Sequence, residues 1–104
     1  MPVNEPDLRV PVRHPRTASR VFSGEAVVIS PAENMVRMFN TAGSRIWELA
    51  DGERSAEEIA HVLVAEFDVD EREARASVAS FLDELLARGL IEIEGDAESG
   101  KTGD

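Results

Sequence analysis

The sequence predicts an α+β domain: a three-stranded antiparallel meander, then three helices, then a short C-terminal strand. Three observations predict it. Short β-like runs separated by turn residues occupy the region from Ala18 to Phe39. The apolar period then switches to a helical one from Asn40 onward, punctuated by cap residues. A brief alternating run, Leu90-Ile91-Glu92-Ile93, closes the pattern.

In the first part, Val21-Phe22, Ser23-Gly24 and Glu25-Ala26-Val27-Val28-Ile29 read as strand, tight turn and strand. Pro31-Ala32-Glu33-Asn34 supplies a second turn, and Met35-Val36-Arg37-Met38-Phe39 a third strand. Asn40 suits the N-cap of a first helix holding Ile46, Trp47 and Leu49, which ends at Asp51-Gly52. Ser55-Ala56-Glu57-Glu58 is a capping box opening a second helix, with Ile59, Val62, Leu63 and Phe67 on one face. Asp70-Glu71-Arg72-Glu73 repeats that logic for the longest helix, whose buried stripe is Ala74, Val78, Phe81, Leu82 and Leu85. Gly89 fits a left-handed C-terminal cap. The last two helices and the final strand, a candidate wing, make the arrangement winged helix-turn-helix-like. Trp47 and Phe81 are large enough to anchor the helical core, each burying roughly 150–250 Å².

The chain of 104 residues, 42% of them hydrophobic, suits one domain with one modest core. Three regions follow: an extended arm over 1–17, a folded domain over 18–93 and an acidic, disordered tail over 94–104. Four prolines and no apolar period mark the arm. No stretch approaches the ~20 apolar residues that span a bilayer. The opening residues lack the pattern of a secretion signal, so the cytoplasm is the expected location. Cysteine is absent, which excludes disulfides, thiolate metal sites and cysteine nucleophiles.

The net charge of −10 is unevenly spread. Residues 1–20 hold Arg9, Arg13, Arg16 and Arg20 against Glu5 and Asp7, a balance of +2 that leaves −12 for the rest. An acidic body repels phosphate backbones, so no nucleic-acid partner is expected. The same field attracts basic partners and favours solubility.

Several patterns look chemical. Gly95-Asp96-Ala97-Glu98-Ser99-Gly100-Lys101-Thr102 matches the phosphate-loop pattern by letter. Only two residues follow it, where the mechanism requires a helix, and its own carboxylates oppose a phosphate. Asp68-Val69-Asp70 begins like a calcium loop but does not continue as one, and capping by Asp70 accounts for it. Glu57 and His61 lie four apart on one helical face, which suits an exposed carboxylate–imidazole pair better than a two-ligand metal site. His14 stands alone in the arm, and two distant histidines assemble no nucleophile–base pair. The expectation is therefore no catalytic residue, no cofactor and no metal.

The segment from Phe39 to Ile59 carries Asn40-x-x-Gly43-x-x-Ile46-Trp47-x-Leu49-x-Asp51-Gly52, then Ser55 and Glu58-Ile59. Downstream come Phe67-Asp68-Val69, Phe81-Leu82-x-x-Leu85 and Gly89-Leu90-Ile91. This ordered set resembles the PqqD-like family, named for coenzyme PQQ synthesis protein D, over about residues 18–93. One departure is Ala42, where Thr or Ser often precedes the glycine. The resemblance implies a RiPP recognition element. Such a domain is a non-catalytic peptide chaperone that binds the leader of a ribosomally made precursor peptide. The leader adds as a strand to the third strand, lies against the third helix and is presented to a modifying enzyme, often a radical-SAM protein.

An open strand edge suits that mode, because its amides and carbonyls can pair with an incoming chain. The expected peptide-binding residues on the strand are Met35, Val36, Arg37 and Met38, with Met35, Arg37 and Phe39 pointing one way and Val36 and Met38 the other. Flexible methionines suit varied partners. On the third helix, Arg75, Ala79, Leu82 and Leu86 form the expected contact stripe, with Arg75 available to a leader carboxylate. Two rival readings are a winged-helix DNA-binding regulator and a structural subunit of a biosynthetic enzyme. The first places Arg72, Arg75 and Arg88 against Glu71, Glu73, Asp83 and Glu84, a poor composition for phosphate contacts.

Overall fold

The computed structural model describes residues 6–30 and 33–94. Its elements are β1 (Pro11–Arg13), β2 (Ala18–Phe22), β3 (Glu25–Ser30), β4 (Met35–Met38), α1 (Thr41–Leu49), α2 (Ala56–Glu66), α3 (Glu71–Ala87) and β5 (Ile91–Ile93). Strands β2, β3 and β4 form the antiparallel meander in that order, and β1 pairs with β5 in a separate two-stranded sheet. The α+β architecture is the one the sequence predicts, with β1 added to it.

Both residues of the β2–β3 turn, Ser23 (φ 53°) and Gly24 (φ 81°), adopt left-handed backbone, as a two-residue hairpin turn of matching twist demands. Along β3 the side chains alternate: Ala26, Val28 and Ser30 are buried, while Glu25 and Ile29 are exposed. Pairing of Val28 with Arg37 and of Ser30 with Met35 puts those β4 residues on the inner face. Val36 and Met38 share the outer face with Ile29 and Val27, and remain exposed there.

The helical layer packs on the inner face. Trp47 and Ile46 of α1, Ile59 and Leu63 of α2, and Ala74, Val78, Leu82 and Leu85 of α3 form one core with Ala26 and Val28. The Ser44 hydroxyl joins helix to sheet. It accepts from the Ala26 amide at 2.6 Å and donates to the Phe39 carbonyl at 3.2 Å. The Ala26 carbonyl in turn accepts from the Phe39 amide at 2.9 Å. Both polar groups of a fully buried residue are thereby satisfied.

Local capping sets the helix limits. The Asn40 side chain accepts from the Gly43 amide at 2.7 Å. Ser55 and Glu58 complete a reciprocal capping box, and Asp70 caps α3 through the Glu73 amide at 2.8 Å. Gly89 (φ 73°) ends α3 with bonds from the Gly89 amide to Leu86 and from the Leu90 amide to Leu85, the paired arrangement of a left-handed C-terminal cap.

The N-terminal arm is extended but bound to the body. Backbone carbonyls of Asp7 and Arg9 accept from the Glu57 and Ala56 amides, two donors that the first turn of α2 leaves unpaired. Beyond them, β1 pairs with β5, and Arg13 donates to the Trp47 and Glu48 carbonyls at the end of α1 at 2.8 and 2.9 Å. The Arg9 guanidinium bridges Asp7 and Asp83 of α3, both at 2.7 Å. Its hydrogen bonds hold the Asp7 carboxyl below the ordinary aspartate range. The tail over 95–104, with its phosphate-loop match, lies outside the described residues, as do Pro31 and Ala32 of the second turn.

Two predictions follow from this packing. Ser44→Ala leaves the Ala26 amide buried without a partner and is expected to cost about 1–3 kcal/mol in urea denaturation; an unchanged midpoint would show the bond to be dispensable. For Asp7, the lowered folded-state value means its contribution is present above the unfolded aspartate value and is lost as pH falls through the folded one. The acid-side fall in unfolding free energy is therefore expected to be shallower in Asp7→Asn than in the parent chain. Parallel pH curves for the two proteins would contradict it.

Candidate functional site

Strand β4 is an edge. It pairs with β3 on one side, and among the described residues no strand pairs with the other. The described part of the arm does not cover that side, since β1 docks with β5, beside Ala50 and Gly52. A row of backbone donors and acceptors is thus open along Met35–Met38.

Next to this edge runs a groove of about 350 Å³, lined by Met35, Val36, Arg37, Met38, Phe39 and Asn40 on the strand side and by Phe81 and Glu84 of α3. It continues over Ala76, Ser77 and Ser80 of the same helix. Its aromatic floor is built by packing. Phe39 meets Trp47 edge-on with ring centres 5.7 Å apart and meets Phe81 edge-on at 5.2 Å. Gly43 makes room for this arrangement: a Cβ there would lie 3.0 Å from Asn40 Oδ1 and 3.2 Å from Phe81 Cζ. The Asn40-x-x-Gly43 pattern therefore serves two ends at once, capping α1 and admitting the Phe81 ring against its first turn.

All four residues singled out on the strand line the groove. Arg37 is held by Glu33 through contacts of 3.2 and 3.3 Å. The four singled out on α3 stand elsewhere. Leu82 is fully buried in the core, Leu86 packs half-buried against it, and Ala79 is half-buried. Arg75 binds Glu57 of α2 at 2.6 Å and Glu71 at 2.9 Å, which raises the guanidinium pKa further and leaves it committed. The cause is rotation. Successive helical residues lie about 100° apart, so Ala74, Val78, Leu82 and Leu85 facing the core put Ser77, Phe81 and Glu84 to one side and Arg75, Ala79 and Leu86 to the other. The signal for the groove side was Phe81, an aromatic at the margin of the buried stripe, together with a glycine four residues before Trp47 that leaves space for it.

The Glu57–His61 pair gains a third member, since Glu71 brings the ligand atoms of all three within 4.8 Å. Arg75 already stands on the same carboxylate oxygens, so its guanidinium supplies the positive charge of this cluster. His14 accepts from the Arg16 amide through Nδ1 at 3.0 Å and lies 3.7 Å from Glu92, far from the groove in the fold.

The fold and groove define an α+β, winged-helix-like domain with an open strand edge beside a helix. The chain belongs to the family described as coenzyme PQQ synthesis protein D (PqqD), whose profile matches residues 25–91. Two solved structures share the fold. One is TbiB1 in complex with the TbiA(beta) leader peptide, 26% identical over 78% of this chain and 94% of that one, with a TM-score of 0.72. The other is a lasso peptide synthetase B1 complexed with the leader peptide, 16% identical over 80% of this chain and 98% of that one, with a TM-score of 0.71. Among curated proteins none matches.

The Gly43 contacts can be tested without a ligand. Alanine is favoured over glycine inside a helix by roughly 1 kcal/mol, so an unhindered site would gain stability. Gly43→Ala is expected to gain none, because its methyl displaces the Phe81 ring; a clearly raised melting temperature would contradict the packing.

Proposed function

We propose that this protein is a non-catalytic peptide chaperone. It captures the leader of a ribosomally synthesised precursor peptide by strand addition to β4 and presents it to a separate modifying enzyme, in the cytoplasm. The observation that carries this reading is the unpaired Met35–Met38 edge lying beside a groove walled by α3. Backbone pairing supplies affinity that depends little on peptide sequence, and the groove selects among side chains. Leader peptides bound to the two similar solved structures support the reading, as does membership of the PqqD family.

The candidate contact residues are Met35, Val36, Arg37 and Met38 on the strand, with Phe39, Ser77, Phe81 and Glu84 completing the groove. Arg75, Ala79, Leu82 and Leu86, the helical stripe expected from the sequence, support α3 in this reading and do not touch the peptide. A DNA-binding role is disfavoured because Arg75 is tied to two carboxylates and α3 is acidic overall.

The test is an NMR titration with the synthetic leader of a candidate precursor, sought as a short reading frame neighbouring the gene for this chain. Amide signals of Met35–Phe39 and of the Ser77–Glu84 segment are expected to shift, and the β4 amides to gain protection from hydrogen exchange. A leader that leaves the Met35–Phe39 signals unmoved would defeat the proposal. Phe81→Ala should weaken binding roughly ten-fold, the effect of losing one well-packed aromatic anchor.

A further inference from the structure

We propose that the peptide this groove selects is basic: it sets a Lys or Arg against Glu84 and, two positions away on the same face of the added strand, an apolar side chain against Phe81. This rests on the peptide-capture reading above and specifies its substrate.

Among the described residues two charged side chains line the groove, and they are not equally available. Arg37 donates twice to Glu33, and both side chains are largely covered, at 19% and 23% exposure. Its charge is spent within the protein. Glu84 is 55% exposed, and its ion-pair partner is Arg88, one turn further along the same helix, with Nε at 3.5 Å. So loose and solvated a pair holds a carboxylate weakly. Arg88 also lies outside the residues lining the groove, whereas Glu84 lines both its strand-side part and its continuation over α3. The open charge is negative.

The surroundings reinforce the sign. Glu84 lies in the last turn of α3, at the negative end of the helix dipole. On a larger scale, residues 18–39 are balanced, with Arg20 and Arg37 against Glu25 and Glu33. Residues 40–94 carry fourteen acidic side chains against five Lys or Arg. A peptide approaching β4 thus meets a neutral sheet on one flank and an acidic helical layer on the other, a field that draws in cations.

The spacing follows from the strand period. Side chains on one face of an extended chain recur every two residues, about 6.6–6.8 Å apart. Phe81 and Glu84 are separated by three helical residues, about 4.5 Å along the axis, and a long Lys or Arg spans the remainder. Phe81, with Phe39 beneath it, offers an apolar seat at one position, and Glu84 a carboxylate at the next.

The experiment pans a display library of random dodecapeptides against the immobilised full chain and, in parallel, against Glu84→Gln and Glu84→Lys. Glu84 is exposed, so both variants should keep the far-UV circular dichroism of the parent. The parent is expected to enrich peptides with Lys or Arg two positions from an apolar residue, and Glu84→Lys to replace that basic preference by Asp or Glu. A synthetic peptide from the enriched set should bind Glu84→Gln up to about five-fold more weakly, the range of one exposed ion pair, with the loss shrinking at high salt. Enriched peptides without a basic preference, or identical preferences for the parent and Glu84→Lys, would overturn this inference while leaving peptide capture standing. Enrichment of no sequence above uncoated resin would overturn the capture reading itself, and this one with it.

Discussion

Phe39 is the residue on which the geometry of the molecule turns. It stands where β4 gives way to α1, and its ring meets Trp47 on one side and Phe81 on the other. Its amide and carbonyl are bound to Ala26 and Ser44. The end of the sheet, the first helix and the middle of the third are therefore held by one side chain and its peptide groups. Edge-to-face contacts fix ring positions more narrowly than aliphatic packing does. The distance between the open strand edge and α3 follows from them.

The two sheets divide the labour. The β1–β5 pair sits beside the helix termini, and the arm that forms it supplies carbonyls to α2 and a guanidinium to the end of α1. These bonds satisfy groups that short helices otherwise leave to water. Because the described part of the arm is engaged there, no described strand covers the free edge of β4. The meander on the opposite side thus keeps its edge open beside a groove whose walls are anchored in the core.

Electrostatics follows the same partition. The acid lies mainly on the helical layer, where much of it is engaged locally: Glu57 and Glu71 with Arg75, Glu66 with Arg45, Asp83 with Arg9. Arg45 keeps the Glu66 carboxyl below the usual glutamate range. Glu84 is the groove's exception, because its pair with Arg88 on the same helix is loose and solvated.

The sequence by itself determined the order from the meander through the helices to the final strand, the turn at Ser23-Gly24, the caps at Asn40, Ser55, Asp70 and Gly89, and the strand side of the groove. Those features rest on local chemistry: turn geometry, capping oxygens and a period of two that no later contact can shift by half a residue. Other features were decided only in three dimensions. The arm's composition signals an extended chain but not its docking, because β1 pairs with a strand about eighty residues away, and Asp7 and Arg9 bind helix amides whose lack of a partner a sequence does not display. The face of α3 turned to the groove was the other. Arg75 and Leu82 fit an amphipathic stripe on paper, yet one residue is 100° of rotation, and the partner packed against Ala74, Val78, Leu82 and Leu85 settles which side remains. Gly43 carried the missing information, since the space left by its absent side chain is where Phe81 lies.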